Sequence, residues 1–241
     1  FGYRTAMRVS GALVCLSTLL VAWLVQERRR AALTTRTSML DDVRTGLRHP
    51  VMRIVMAASA LATLGSVGIQ PILTLYLEQL GAHQEWVSGV VFSIPGIAFV
   101  LFASRWTRLG EARGFDRTLA YGFAGSALGG VLLALMPGLY AFSGAYLWFG
   151  LFSAAVGPSC AALISQHVDS GFAGRAFSLQ QSANMAGGLL GPITAGFIAG
   201  RFGPSATFWL TAVVFAGGIF WVLRLAARWR TGARSSAAVG G

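Results

Sequence analysis

The sequence has no lysine: all 19 of its basic residues are arginine, against 8 acids, for a net charge of +11. It has two cysteines, Cys15 and Cys160, each inside an apolar stretch. That number and placement give neither a disulfide framework nor a metal-ligand spacing. Only three histidines occur, His49, His83 and His167, all in or near loops. Above all, charge is missing from long blocks: residues 9–26, 54–77, 86–104, 118–166, 176–200 and 202–223 contain no Lys, Arg, Asp or Glu. A charge at the bilayer centre costs roughly 2.5–3.5 kcal/mol. About 18 or more apolar residues are what a helix needs to cross about 30 Å of hydrocarbon. These blocks therefore exclude a soluble core helix, which would carry a polar stripe.

The block 118–166 divides at Met136-Pro137-Gly138, a turn signal. The resulting spans are 8–26, 53–77, 87–104, 118–136, 139–164, 178–200 and 205–226. On a soluble chain so basic a balance would point to nucleic acid; here the arginines mark one side of a membrane instead. One side collects Arg28, Arg29, Arg30, Arg36, Arg44, Arg48, Arg53, Arg105, Arg108, Arg113, Arg117, Arg175, Arg224, Arg228, Arg230 and Arg234. The other holds Arg4, Arg8 and Arg201. The positive-inside rule makes the first side cytoplasmic, so the start lies outside and the tail inside.

The longest connection is cytoplasmic, 27–52. Within it Ser38-Met39-Leu40-Asp41 reads as a capping box, and Leu40, Val43 and Leu47 recur at helical spacing. A short amphipathic helix on the membrane surface is expected over 38–48. The tail, 228–241, is rich in Arg, Ser, Ala and Gly and is expected to be disordered. Small residues permit the close approach by which helices associate in lipid. Gly122, Ser126 and Gly130, with Gly125 and Gly129 beside them, form such faces; so do Gly187 with Gly191, and Gly196 with Gly200. Pro71, Pro95, Pro158 and Pro192 lie within spans and invite kinks.

The connection Arg105-Trp106-Thr107-Arg108-Leu109-Gly110-Glu111-Ala112-Arg113-Gly114-Phe115-Asp116-Arg117 resembles the second, degenerate copy of the loop motif of the major facilitator superfamily, roughly G-R-L-x-D-R-x-G-R-R. Arg108, Leu109, Gly114 and Arg117 match. Thr107 stands in place of Gly, Glu111 of Asp and Ala112 of Arg. The resemblance implies a cytoplasmic latch made by Arg108, Glu111, Gly114 and Arg117; a plain basic anchor is the alternative. Gly174-Arg175-Ala176-Phe177-Ser178-Leu179-Gln180-Gln181-Ser182, running into Gly188-Leu189-Leu190-Gly191-Pro192-Ile193-Thr194-Ala195-Gly196-Phe197, resembles the eleventh span of drug:proton antiporters in that superfamily. Gly2-Tyr3-Arg4 resembles the outer loop before their sixth span.

The resemblance implies an all-α polytopic membrane protein of about seven transmembrane helices, six of them the C-terminal bundle of a major facilitator fold. Residues 1–26 would be the last helix of an amino-terminal half, 27–52 the cytoplasmic loop between halves, 53–227 the bundle and 228–241 the tail. The amino-terminal half would be missing. No span carries an Asp or Glu in its middle, and Glu78 lies at an outer end. Intramembrane carboxylates are the usual proton relays, so the coupling acids are expected in that other half.

The polar groups within spans are few. Gln70, before Pro71, either lines a cavity or bonds a neighbouring helix. Gln181 and Asn184 are expected in a cavity, and Gln180 between helices. Tyr146, Phe149 and Phe152 make one aromatic face, either packing or lining a site for bulky lipophilic ligands. Gly187, Gly191 and Pro192 are expected to set helix packing.

Ser159, in Gly157-Pro158-Ser159-Cys160, has no histidine placed to act as its base, so no catalytic residue is assigned. No metal site and no cofactor emerge, the energy source being a proton gradient. The reading is a secondary transporter of a bacterial inner (plasma) membrane, a proton-coupled multidrug-type exporter of small lipophilic compounds working by alternating access. Its partners are the lipid bilayer, the small-molecule substrate and the missing half, with no nucleic acid. The alternatives are an importer of a neutral solute such as a sugar and, in another class, a seven-helix enzyme or receptor scaffold.

Overall fold

The structure, a computed structural model, describes residues 3–24, 39–81 and 84–239. The described residues are helical, with no strand. That is the solution expected where water cannot satisfy the backbone, because a helix bonds its own N–H and C=O groups. The arginine run 28–30, the capping pattern that begins at Ser38, His83 and Gly2 lie outside the described residues.

Two compact units divide at Ser38 and Met39. The first contains one helix, α1 (Tyr3–Leu24). Its hydroxyls fold back on its own backbone: Ser17 Oγ and Thr18 Oγ1 both donate to the Val14 carbonyl, at 2.8 and 2.9 Å.

The second unit is a bundle of α2 (Met39–Arg48), α3 (Pro50–Gln79), α4 (Glu85–Arg113), α5 (Phe115–Leu135), α6 (Leu139–Ser153), α7 (Val156–His167), α8 (Ser170–Phe202) and α9 (Ala206–Val239). Pro50 at the first position of α3 loses no bond, since the first N–H groups of a helix have no helical partner. Helix α2 is docked as well as amphipathic. Val43 packs on the bundle core, and a Cβ on Gly46 would lie 2.6 Å from Leu179 Cδ1 of α8.

Six helical stretches are long and apolar enough to cross a membrane: Met7–Leu24, Pro50–Gln79, Trp86–Arg113, Phe115–Leu135, Leu139–His167 and Ala206–Arg224. Helix α8, where a seventh span is expected, is longer than any of these at 33 residues. It is absent from the six because it spends its length on Gly, Ser, Gln and Asn, which lower its hydropathy. The tail expected to be disordered continues α9 to Val239, through a stretch with no proline and several good helix formers.

Helices α6 and α7 are two pieces of the span expected over 139–164. The break falls at Ala154–Ala155, just before Pro158, whose ring nitrogen cannot bond the Ala154 carbonyl. Here Ala155 N–H bonds the Phe152 carbonyl at 3.1 Å instead of that of Leu151. Trp106 of α4 takes the place vacated: its Nε1–H donates to the Leu151 carbonyl at 2.7 Å.

The seam between α3 and α8 is the most extensive helix pair. A Cβ on Gly191 would lie 2.6 Å from the Leu64 carbonyl oxygen and 3.1 Å from the Gly68 nitrogen. One on Gly187 would collide with the Ala60 carbonyl, and one on Gly68 would sit 3.1 Å from the Gly191 carbonyl. Ala195, one turn further, is fully buried on the same stripe. Gly196 and Gly200, expected to pack likewise, do not: a Cβ on either meets nothing within 4 Å. They lie one residue, about 100°, out of phase with Gly187, Gly191 and Ala195.

Helix α5 uses its small residues on two sides. Gly125 and Gly129 receive Phe152 and Phe149 of α6, and Gly130 would place a Cβ 2.7 Å from the Ala212 nitrogen of α9. An aromatic cluster fills the space between α3, α6 and α9. Tyr76 stands 5.2 Å from Phe142 and 4.9 Å from Phe208, and Phe149 meets Phe215 edge-on at 5.6 Å.

Two outcomes are expected from thermal unfolding in detergent. Gly191→Ala forces the α3 and α8 backbones apart and costs about 1–3 kcal/mol, as overpacking does. Gly196→Ala meets no atom and is neutral or stabilising, because Ala exceeds Gly in helix propensity by about 1 kcal/mol. Equal effects would contradict the seam. Trp106→Phe leaves the Leu151 carbonyl unbonded and lowers stability by about 1–3 kcal/mol; an unchanged midpoint would show that the indole bond contributes nothing.

Candidate functional site

Helix α3 carries Ser59, Thr63, Ser66 and Gln70 at successive intervals of four, three and four, which places them on one face. The first three line a cavity of about 250 Å³ with Ala62 and Val67 of the same helix, Ser153, Val156 and Gly157 at the α6–α7 break, and Gln180 and Asn184 of α8. The lining contains hydroxyls, amides and small apolar groups, and no ionisable side chain. Pro71 withdraws the N–H that would bond the Val67 carbonyl, adding a backbone acceptor at this place.

The polar groups are tied across the seam. Thr63 Oγ1 donates to Asn184 Oδ1 at 3.0 Å, and Asn184 Nδ2 donates to Gln181 Oε1 at 3.4 Å. Gln180 Nε2 donates to Ser59 Oγ at 3.3 Å. These bonds fix the rotamers of the two lining amides, Gln180 and Asn184, so the cavity presents a preorganised neutral surface. Such a surface can hold and orient an uncharged or weakly polar solute; it supplies neither a nucleophile with its base nor a fixed charge.

The residues singled out from sequence fall in different places. Asn184 lines the cavity. Gln180, expected between helices, both bonds Ser59 and lines the cavity, whereas Gln181 is exposed beside it. Gln70 is exposed one turn beyond Ser66 on the same face. Tyr146 and Phe149 are not cavity residues: they are 4% and 2% exposed within the aromatic cluster, their rings 6.2 Å apart. Phe152 lines a separate cleft between α4, α5 and α6. Gly187 and Gly191 belong to the seam, and Pro192 lies inside α8. The hydroxyls Ser59, Thr63 and Ser66 are absent from the sequence-based candidates. Their helical spacing is the signal that reveals them.

The connection expected to carry the latch is not the loop the sequence suggests. The connection expected over 105–117 is almost wholly helix: α4 runs to Arg113, α5 starts at Phe115, and Gly114 alone makes the turn. Its φ of 96° is a conformation that side chains disfavour, which explains why glycine stands there. Its N–H bonds the Gly110 carbonyl at 2.8 Å, its carbonyl accepts from Thr118, and the Phe115 ring packs on Gly110. Asp116 sits in the first turn of α5, where the helix dipole favours an acid. Arg108, Glu111 and Arg117 are exposed around this turn.

Known proteins place the chain in context. Residues 55–239 match the model of the Major Facilitator Superfamily. The chain is similar to the multidrug resistance protein MdtG of Proteus mirabilis, 28% identical over 89% of this chain and 54% of that protein. It is similar to the uncharacterized MFS-type transporter YuxJ of Bacillus subtilis, 27% identical over 93% of this chain and 59% of that protein. It is likewise similar to the multi-drug resistance efflux pump PmrA of Streptococcus pneumoniae, 27% identical over 90% of this chain and 55% of that protein. The chain thus spans about half the length of the curated relatives it matches. With six apolar helices of membrane-crossing length and a family match over most of its residues, the chain is a multi-pass membrane protein and belongs to the Major Facilitator Superfamily of transporters.

Proposed function

We propose that the chain forms one wall of the substrate pathway of a proton-coupled exporter of small lipophilic compounds. The observation that carries this reading is the uncharged cavity at the α3–α8 seam, lined by Ser59, Thr63, Ser66, Gln180 and Asn184. A pathway without fixed charge admits apolar ligands of varied shape, held by van der Waals contact and a few hydrogen bonds. The relatives named for multidrug resistance and efflux support the export direction. In this reading residues 53–227 are the carboxyl-terminal transporter bundle and α1 is the last helix of an amino-terminal half that completes the cavity. The two halves rock about the site in alternating access. Gln70 and Gln181 extend the cavity wall, Arg108, Glu111, Gly114 and Arg117 hold the cytoplasmic end of α4 and α5, and the acids that carry the proton belong to the other half. The arginine distribution supports a start outside and a tail inside the plasma membrane.

A specific observation also favours a second reading. Neutral hydroxyls and amides suit a sugar as well as a drug, so an importer of a neutral solute is the alternative. One assay separates them. Cells expressing the whole transporter are loaded with a lipophilic fluorescent dye, and efflux is followed with and without a protonophore. The exporter reading predicts efflux that stops when the gradient collapses. It also predicts that Asn184→Leu slows efflux by about tenfold at unchanged membrane abundance, as loss of an amide contact worth about 1.4 kcal/mol would. Uptake that runs inward with the solute gradient would overturn export.

A further inference from the structure

The cleft between α4, α5 and α6 plays no part in the transport pathway proposed above. It is an open cleft of about 480 Å³, walled by Trp106, Tyr121, Leu128, Trp148 and Phe152, with the exposed Arg113 also in its lining. Both indole N–H groups are already committed: Trp106 Nε1 donates to the Leu151 carbonyl at 2.7 Å and Trp148 Nε1 to the Gly125 carbonyl at 3.1 Å. The two indoles therefore offer apolar faces and no free N–H, leaving the Tyr121 hydroxyl as the polar group among these walls, and the lining as a whole suits a hydrocarbon chain better than a polar solute. The rings pack on one another, Phe152 lying 5.5 Å from Trp106 and 4.9 Å from Trp148.

The end at Arg113 has the opposite character. Arg113 closes the last turn of α4, and seven residues of helix, about 10 Å, separate it from Trp106. Around the same turn stand Arg108 and Arg117, against Glu111 and Asp116, so that with Arg113 there is an excess of one positive charge; Arg105 lies more than two turns back, its guanidinium over the Phe102 ring. A basic rim beside an aromatic wall, in a protein whose solvent is lipid, complements an amphiphile with an anionic head and an acyl chain. Basic pockets between transmembrane helices bind such head groups. We propose that this cleft is a binding site for an anionic phospholipid, its phosphate at Arg113 and one acyl chain between Trp106 and Trp148. The site does not depend on the transport reading; it requires only that these helices lie in a bilayer.

The test uses tryptophan fluorescence of the chain in phosphatidylcholine nanodiscs containing rising fractions of either brominated phosphatidylglycerol or brominated phosphatidylcholine. Bromine quenches an indole on contact, so a site in the cleft gives a saturable component at low mole fraction for phosphatidylglycerol, with several-fold preference over phosphatidylcholine. Arg113→Gln abolishes that preference. Ala124→Leu, which fills the cleft while leaving Arg113 and both tryptophans in place, abolishes it too. Unchanged thermal midpoints of both variants show that folding is not the cause. Equal quenching by the two lipids would overturn the site. So would a preference that survives Arg113→Gln, or one that survives Ala124→Leu, which would place the attraction on the arginine-rich surface.

Discussion

The structure depends on the contact of two backbones, those of α3 and α8. Inside lipid, apolar surface gives helices no reason to associate, because the acyl chains are as apolar as leucine. Close packing must supply the attraction, and here it is obtained by removing side chains. Gly187 and Gly191 set α8 directly on the carbonyls of Ala60 and Leu64, and Gly68 reciprocates. This closeness positions everything else along the seam. It brings Thr63 within a hydrogen bond of Asn184 and Ser59 within one of Gln180. A wider seam would part these pairs and release the amide rotamers that shape the cavity wall.

The α6–α7 break joins two sites of different chemistry. Ser153, Val156 and Gly157 at the break contribute to the neutral polar cavity, while Trp148 and Phe152 just before it wall the aromatic cleft. Trp106 bridges α4 to the carbonyl that the break frees. A rotation at Ala154–Ala155 would therefore move a wall of each site together. Bends of this kind are where a packed bundle can switch between discrete arrangements. The polar cavity thus lies beside the one described discontinuity within a membrane-crossing stretch.

Much of this architecture can be read in the sequence, for definite reasons. Charge-free blocks mark most spans because lipid penalises charge so heavily. Glycine spacing points to α8 as a packing helix. Phase decides the rest: Gly187, Gly191 and Ala195 share a stripe, while Gly196 and Gly200 fall off it and touch nothing. The extent of α4 and α5 is hidden because the arginine-rich connection contains one residue, Gly114, that stops a helix, and charged residues continue a helix beyond the membrane as readily as they form a loop. The aromatic face of α6 is visible in the sequence, but its destination is not. Phe142, which stacks on Tyr146, and Phe208, which meets Phe142 edge-on, come from a different turn and a different helix. The hydroxyl stripe of α3 is legible, yet weak, because Ser and Thr commonly bond their own helix, as Thr211 does with Thr207.

The central claim is that the neutral cavity at the α3–α8 seam lies on the path of the transported compound. The most direct measurement is the rate at which a water-soluble maleimide labels Thr63→Cys in the whole transporter, with Cys15 and Cys160 replaced by serine. The account predicts that position 63 labels from the aqueous phase and that a transported lipophilic compound slows labelling in proportion to its occupancy. Labelling at the same rate with and without saturating compound, in a variant that still transports, would contradict it.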